Sequence, residues 1–159
     1  MSQQVLLDNT VLSNFALVGE SRLLRDVLSY RAGTVAEVVS EFETGVLLSR
    51  VPQTDWSWLE THILTADEQS LYQIFRRRLS AGEAACLAVA HIRKLAVMTD
   101  DRDARQLAIQ YGIPISGTIG ILLEAIRKNI LDLGQANRVL HEMSNFGYRS
   151  PLAKLDSLL

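Results

Sequence analysis

The chain has 159 residues, 48% of them hydrophobic and 21% charged, which predicts one self-sufficient domain and excludes a disordered, collagen-like or low-complexity chain. The single cysteine, Cys86, excludes a disulfide framework and a multi-Cys zinc site and fits a reducing cytoplasm. A net charge of -2 argues against a nucleic-acid partner only until the placing of the acids is considered.

Gln4-Val5-Leu6-Leu7-Asp8 is a short apolar run ending in an acid, and predicts a buried strand that turns at Asn9-Thr10 towards a helix. Val11 to Leu17 reads as that helix, with Gly19 just past its end. Ser21 to Leu28 reads as a second helix capped by Ser21, and Arg31-Ala32-Gly33 as a loop. Thr34 to Leu48 carries Val35, Val38, Val39, Phe42 and Val46 at helical spacing, and Thr34 with Glu37 has the form of a capping box. Pro52 to Trp58 breaks the pattern, Trp58 to Leu64 reads as a strand, and Thr65 to Leu79 as a helix carrying Arg76-Arg77-Arg78.

Ser80 and Glu83 form a second capping box, opening a helix whose Ala-rich run from Ala84 to Ile92 suits a central position. Leu95 to Thr99 reads as a buried strand ending at Asp100-Asp101, and Asp103 to Tyr111 as a helix closed by Gly112. Ile113-Pro114-Ile115 reads as a short strand, Gly117-Thr118 as the start of a helix through Lys128, and Gln135 to Ser144 as a last amphipathic helix before the tail Ser150–Leu159. This order predicts an α/β fold with a short, mainly parallel sheet covered by helices on both faces. No apolar run approaches the ~20 residues of a membrane span, and the start of the chain lacks a basic leader.

The acids fall where such a fold does its chemistry. Asp8 ends one strand and the Asp100/Asp101 pair ends another, and ligands of parallel sheets bind beyond the carboxyl ends of strands. Glu41 and Glu83 lie on helices with apolar faces, where a carboxylate is costly unless partnered. Carboxylates without His or Cys companions select hard cations such as Mg²⁺ or Mn²⁺, and such sites hydrolyse phosphodiesters. Removing Asp8, Glu41, Glu83 and Asp101 from the charge sum leaves +2, so the acidic mean does not exclude RNA.

Four segments carry a resemblance: Leu6-Leu7-Asp8-Asn9-Thr10, Val39-Ser40-Glu41-Phe42-Glu43-Thr44-Gly45, Ser80-Ala81-Gly82-Glu83-Ala84-Ala85, and Val97-Met98-Thr99-Asp100-Asp101-Arg102-Asp103-Ala104-Arg105. In this order they resemble the successive acidic motifs of PIN domains, and Tyr111 to Leu122 resembles one compact branch of that superfamily. The resemblance implies a three-layer α/β/α domain over residues 1–159, with a core of about 4–130 and a C-terminal helix and tail at 131–159. It implies a Mg²⁺- or Mn²⁺-dependent ribonuclease, often the toxin of a VapBC-type toxin–antitoxin pair. It assigns Asp8, Glu41, Glu83 and Asp101 as catalytic acids, and Asp8, Glu83, Asp100 and Asp101 as metal ligands, with either member of the Asp100/Asp101 pair facing inwards. Glu37 stands as the alternative to Glu41, while Thr10, Thr99 and Asp103 are supporting residues.

Arg102 and Arg105 adjoin the acids and are expected to bind substrate phosphates, whereas Arg76-Arg77-Arg78 reads as a solvated helix face. His62, His91 and His141 match no zinc spacing, Cys86 reads as inert core, and Trp56 and Trp58 as packing residues. The expected partners are RNA, an antitoxin protein and a second copy in a homodimer, with no membrane. Two other readings stand beside the nuclease: a non-catalytic RNA- or protein-binding module, and an aspartyl-phosphate enzyme, which lacks a second acid two residues after Asp8.

Overall fold

A computed structural model describes residues 4–159; the first three residues of the segment read above for a leader lie outside the described residues. Five parallel strands, β1 (Val5–Leu7), β2 (Ala32–Val35), β3 (Glu60–His62), β4 (Ala96–Met98) and β5 (Ile115–Ser116), form one sheet in the order β3-β2-β1-β4-β5. Eight helices among the described residues complete an α/β/α arrangement: α1 (Asn9–Leu17), α2 (Ser21–Leu28), α3 (Ala36–Leu47), α4 (Ala66–Phe75), α5 (Ala81–Arg93), α6 (Arg102–Tyr111), α7 (Thr118–Arg127) and α8 (Leu133–Asn145). None of the described helices is long and apolar enough to cross a membrane.

The sheet grows from β1 outwards to β3, then returns to the other side of β1 for β4. The crevice at the carboxyl ends of β1 and β4 is therefore the topological switch point, where open parallel sheets bind ligands. The central helix is α5, which packs against β1, β2 and β4 as well as α3, α4 and α6. Its residues Ala84 to Ala90 are all buried, and their small side chains let it lie close to the sheet.

The strand ending at Asp8, the strand before Asp100, the capping box at Ser80 and the strand near Glu60 all occur as expected. Several boundaries differ. Arg31-Ala32-Gly33 is not a loop: Ala32 and Gly33 belong to β2, whose four residues are all buried. A Cβ on Gly33 would come within 2.9 Å of the His62 ring and 3.0 Å of the Glu60 carbonyl, so glycine lets β3 close against it. Thr34 does not cap a helix. It stays in β2 and donates its hydroxyl to the Leu7 carbonyl at 2.7 Å, and α3 begins at Ala36 after an uncapped Val35. Ser21 is likewise inside α2, whose N-cap is Glu20 without a side-chain bond.

The helix expected to run to Leu79 stops at Phe75, and Arg76-Arg77-Arg78 forms a turn rather than a helix face, with Arg76 donating to the Leu79 carbonyl. The last strand is shifted to Ile115–Ser116, because Pro114 has no N–H to give a ladder. The last helix begins earlier, at Leu133, through an Asp132–Gln135 capping box. Trp56 packs edge-on against Phe42 and beside Trp58, and Cys86 is buried with its thiol pushed up by that burial, as packing roles require.

An ion pair ties the β3 edge down. Arg93, at the end of α5, donates to both oxygens of the buried Glu68 on α4 at 2.7 and 2.9 Å. The same guanidinium reaches His62 Nδ1 and the Ile63 carbonyl, each at 3.0 Å.

Candidate functional site

Asp8 follows β1 directly and caps α1, so its side chain emerges at the switch point. Its Oδ1 accepts the Asn9 N–H at 2.7 Å, and its Oδ2 accepts the hydroxyls of Thr99 at 2.8 Å and Thr10 at 3.0 Å. Those hydroxyls are themselves oriented. The Asp100 N–H donates to Thr10 Oγ1 at 3.0 Å, and the Asp101 N–H donates to Thr99 Oγ1 at 3.1 Å. Each threonine proton is thereby committed to Asp8, and the ends of β1 and β4 are locked together.

Asp8 is 1% exposed. Burial pushes its carboxyl up to about 6, against the opposing hydrogen bonds of Thr99, Thr10 and Asn9, and the charge of Glu41 adds to the rise. Glu83 stands at the third position of α5, where its Oε2 accepts the Ser80 N–H at 3.2 Å. Burial, then the charges of Asp8 and Asp101, and more weakly Glu41, push its carboxyl up to about 7. The Ser80 N–H opposes that rise.

These mutual effects bring Asp8, Glu41, Glu83 and Asp101 into one electrostatic neighbourhood. The ion pairs found among the described residues, Arg31–Glu124, Lys128–Glu124 and Arg93–Glu68, all lie elsewhere. The four acids therefore repel one another without a neighbouring cation from those pairs. They do not converge on one point: among the described residues no three His, Cys, Asp or Glu side chains approach closely enough to hold one metal ion.

Glu41 lies against the head of α5 because Gly82 stands opposite it. A Cβ on Gly82 would lie 2.0 Å from Glu41 Oε1 and 3.0 Å from a Val38 methyl. The earlier acid, Glu37, lies one turn back on α3 with Oε1 buried and without a hydrogen-bond partner. Its charge is felt at Cys86 but is not among those acting on Asp8 or Glu83, which favours Glu41 as the second acid of the cluster.

Asp101 and Asp100 part company. Asp101 caps α6 through Oδ2, which accepts the Ala104 N–H at 2.9 Å, and its Oδ1 accepts no hydrogen bond among the described residues. Asp100 is turned the other way, towards α1 and α7. Its Oδ1 accepts the Thr118 N–H at 2.9 Å, and its Oδ2 accepts the Thr118 hydroxyl and the Asn14 amide at 2.8 Å. A carboxylate satisfied by the start of α7 is a structural clamp between β4, α1 and α7.

Asp103 is exposed on the first turn of α6 and is not among the charges acting on Asp8 or Glu83. Arg105 donates to the Thr99 carbonyl at 3.0 Å, beside the cluster, and Arg102 is exposed at the head of α6. Asn14 and Thr118 were not among the residues expected here. Asn14 lies one turn beyond Thr10 on α1, a spacing that could have pointed to it. Gly117 admits the Asp100 clamp, since its Cβ would lie 2.4 Å from Asp100 Oδ1.

A family model described as "DUF3368: PIN domain" matches residues 4–159. No curated protein matches the chain. Among solved structures the chain is similar to the crystal structure of PAE2754 from Pyrobaculum aerophilum, with 15% identity over 70% of this chain and 98% of that one, at a TM-score of 0.48.

Proposed function

We propose, from the premise that this chain belongs to the PIN-domain family, that it is a Mg²⁺- or Mn²⁺-dependent ribonuclease. The observation that carries the reading is the cluster of Asp8, Glu41, Glu83 and Asp101 at the switch point, with two carboxyls pushed far above their ordinary range. The donor set fits a hard divalent ion, because it offers carboxylate oxygens and no imidazole. When bound, the ion supplies neutralisation of the phosphate and acidification of water.

The chain's own residues supply placement. Thr10 and Thr99 hold Asp8 in one orientation, which leaves one lone pair of its Oδ1 uncommitted among the described residues. Burial and the neighbouring acids favour a proton on the free Glu83 carboxyl, which a bound cation would displace. Arg105 and Arg102 flank the cluster on the β4 side and would meet the phosphates of the substrate.

Labelled RNA is expected to be cut with Mn²⁺ or Mg²⁺ and left intact with a chelator. Wild-type protein that stays inert on varied RNAs with either metal overturns the reading. The lack of a three-residue metal group among the described residues also suits a non-catalytic module, and RNA binding without cutting would favour that alternative.

Gly82→Ala is a sharper probe. Alanine favours a helix over glycine by up to ~1 kcal/mol, and its Cβ displaces chiefly the movable end of Glu41, while the Val38 methyl at 3.0 Å must give slightly. The variant is expected to melt within a few degrees of wild type while cutting RNA about tenfold more slowly or worse. Unchanged cutting would remove Glu41 from the machinery. The proposal extends to the toxin role and to a homodimer, which co-purification with the product of a neighbouring reading frame and the molecular mass in solution test in turn.

A further inference from the structure

A cavity of about 750 Å³ opens on the far side of the Asp100 clamp. It lies between α6, the β5–α7 turn and the C-terminal tail. Its walls are mainly apolar, with Ile109, Ile119, Leu123 and Leu152 among them. Three guanidinium groups, those of Arg102, Arg105 and Arg149, line it together with Tyr148. Burial first, and then the charge of Asp100, push the Tyr148 phenol up, so it remains a neutral aromatic group.

The cavity lies beside the acid cluster, because Arg105 lines it and bonds Thr99, whose hydroxyl holds Asp8. Asp100 lines it while its neighbour Asp101 belongs to the acid cluster, and Arg105 spans the two by donating to the carbonyl of Thr99. An apolar slot with one aromatic wall, ringed by cations and adjoining a phosphodiester site, matches one kind of occupant. That occupant has a flat ring for the slot and phosphates for the guanidinium groups.

We infer that this cavity receives a base of single-stranded RNA next to the phosphodiester held at Asp8, with Tyr148 contacting the base and Arg102 and Arg149 the flanking phosphates. The inference rests on the nuclease reading for the position of the scissile bond. The cavity volume exceeds that of one base, so it accommodates purines and pyrimidines alike. Recognition by stacking and charge is tolerant of sequence, since every base has an aromatic face.

The test is equilibrium binding in chelator, so that it does not depend on cutting. The probes are a fluorescein-labelled hexaribonucleotide and inorganic polyphosphate, a polyanion without bases. Tyr148→Ala is expected to weaken the RNA complex on the order of tenfold, the lower range for loss of a stacked base, and to leave polyphosphate binding within twofold. Tyr148→Phe is expected to bind RNA as wild type does.

Ile109→Gln, at an exposed wall residue whose replacement leaves the fold intact, is expected to weaken RNA severalfold and polyphosphate not at all. RNA binding unaffected by both Tyr148→Ala and Ile109→Gln overturns the inference, as does an equal loss for both probes. Cavity-dependent binding by a protein that cuts no RNA refutes the nuclease reading alone. Cutting and RNA affinity unchanged in both variants refute the cavity alone.

Discussion

Asp8→Asn is expected to reduce metal-dependent RNA cutting about a thousandfold, while the metal-free protein melts higher than wild type at pH 8. The first effect follows from losing the most buried carboxylate of the cluster, where several kcal/mol of charge stabilisation are at stake. The second follows from linkage. The Asp8 carboxyl has a pKa of about 6 in the folded chain against 3.8 for its ordinary value. The folded state thus holds its proton more tightly than the unfolded state does.

Asp8 therefore favours the folded state fully below pH 3.8, and that contribution is lost as pH rises through about 6. The loss is about 3 kcal/mol at pH 8. An amide removes the charge but turns one donor towards the N–H and hydroxyl donors around it, so the net gain is roughly 1–2 kcal/mol. The difference in melting temperature is expected to vanish at pH 5, where wild-type Asp8 is mostly neutral. Calorimetry at the two pH values checks both signs. Melting of Asp8→Asn below wild type at pH 8 would show that the hydrogen bonds outweigh the charge.

Arg93→Ala is expected to cost about 3 kcal/mol, the scale for leaving a buried carboxylate without its partner. Glu68 is fully buried, and its charge rests chiefly on the Arg93 guanidinium, whose hydrogen bonds hold its carboxyl below the ordinary range. For a chain of this length the loss corresponds to a drop of roughly 6–12 °C in Tm. Pairing it with Glu68→Gln is expected to recover part of the loss, because no unpaired charge then remains.

The pH signature of this pair is opposite to that of Asp8. Its stability is fully present above the ordinary Glu value of 4.5 and is lost as pH falls through the lowered folded value. The damage is expected at the β3 edge, since Arg93 also anchors His62 and the Ile63 carbonyl. Hydrogen exchange would show β3 opening first. Protection there equal to wild type would place the role of Arg93 elsewhere.

The elements that announced themselves in the sequence did so through physics local to a few residues. Val5 to Leu7 and Ala96 to Met98 are apolar runs ended by acids, and Ser80 with Glu83 is a cap whose two reciprocal bonds are both formed. What stayed hidden depended on partners distant in the chain. β2 has little bulk of its own and is buried because Gly33 admits His62. The Thr34–Glu37 spacing misled because the threonine bonds to Leu7 on another strand.

At the site, the alternatives of cap and cluster acid proved not to compete. Glu83 and Asp101 each use one oxygen at a helix start while their charge is felt in the cluster. The choice between Asp100 and Asp101 needed the third dimension, because Asn14 and Thr118, which claim Asp100, lie 86 and 18 residues away from it.

The clasp around Asp8 also bears on biosynthesis. Asp8 and Thr99 are 91 residues apart, and Asn14 and Thr118 are 104 apart. A nascent chain stopped before β4 would already contain Asp8, Glu41 and Glu83, yet lack the Thr99 hydroxyl on Asp8 and the Asp100 N–H that orients Thr10. The clasp is therefore completed only once β4 has been made, and until then Asp8 is held by its near neighbours alone.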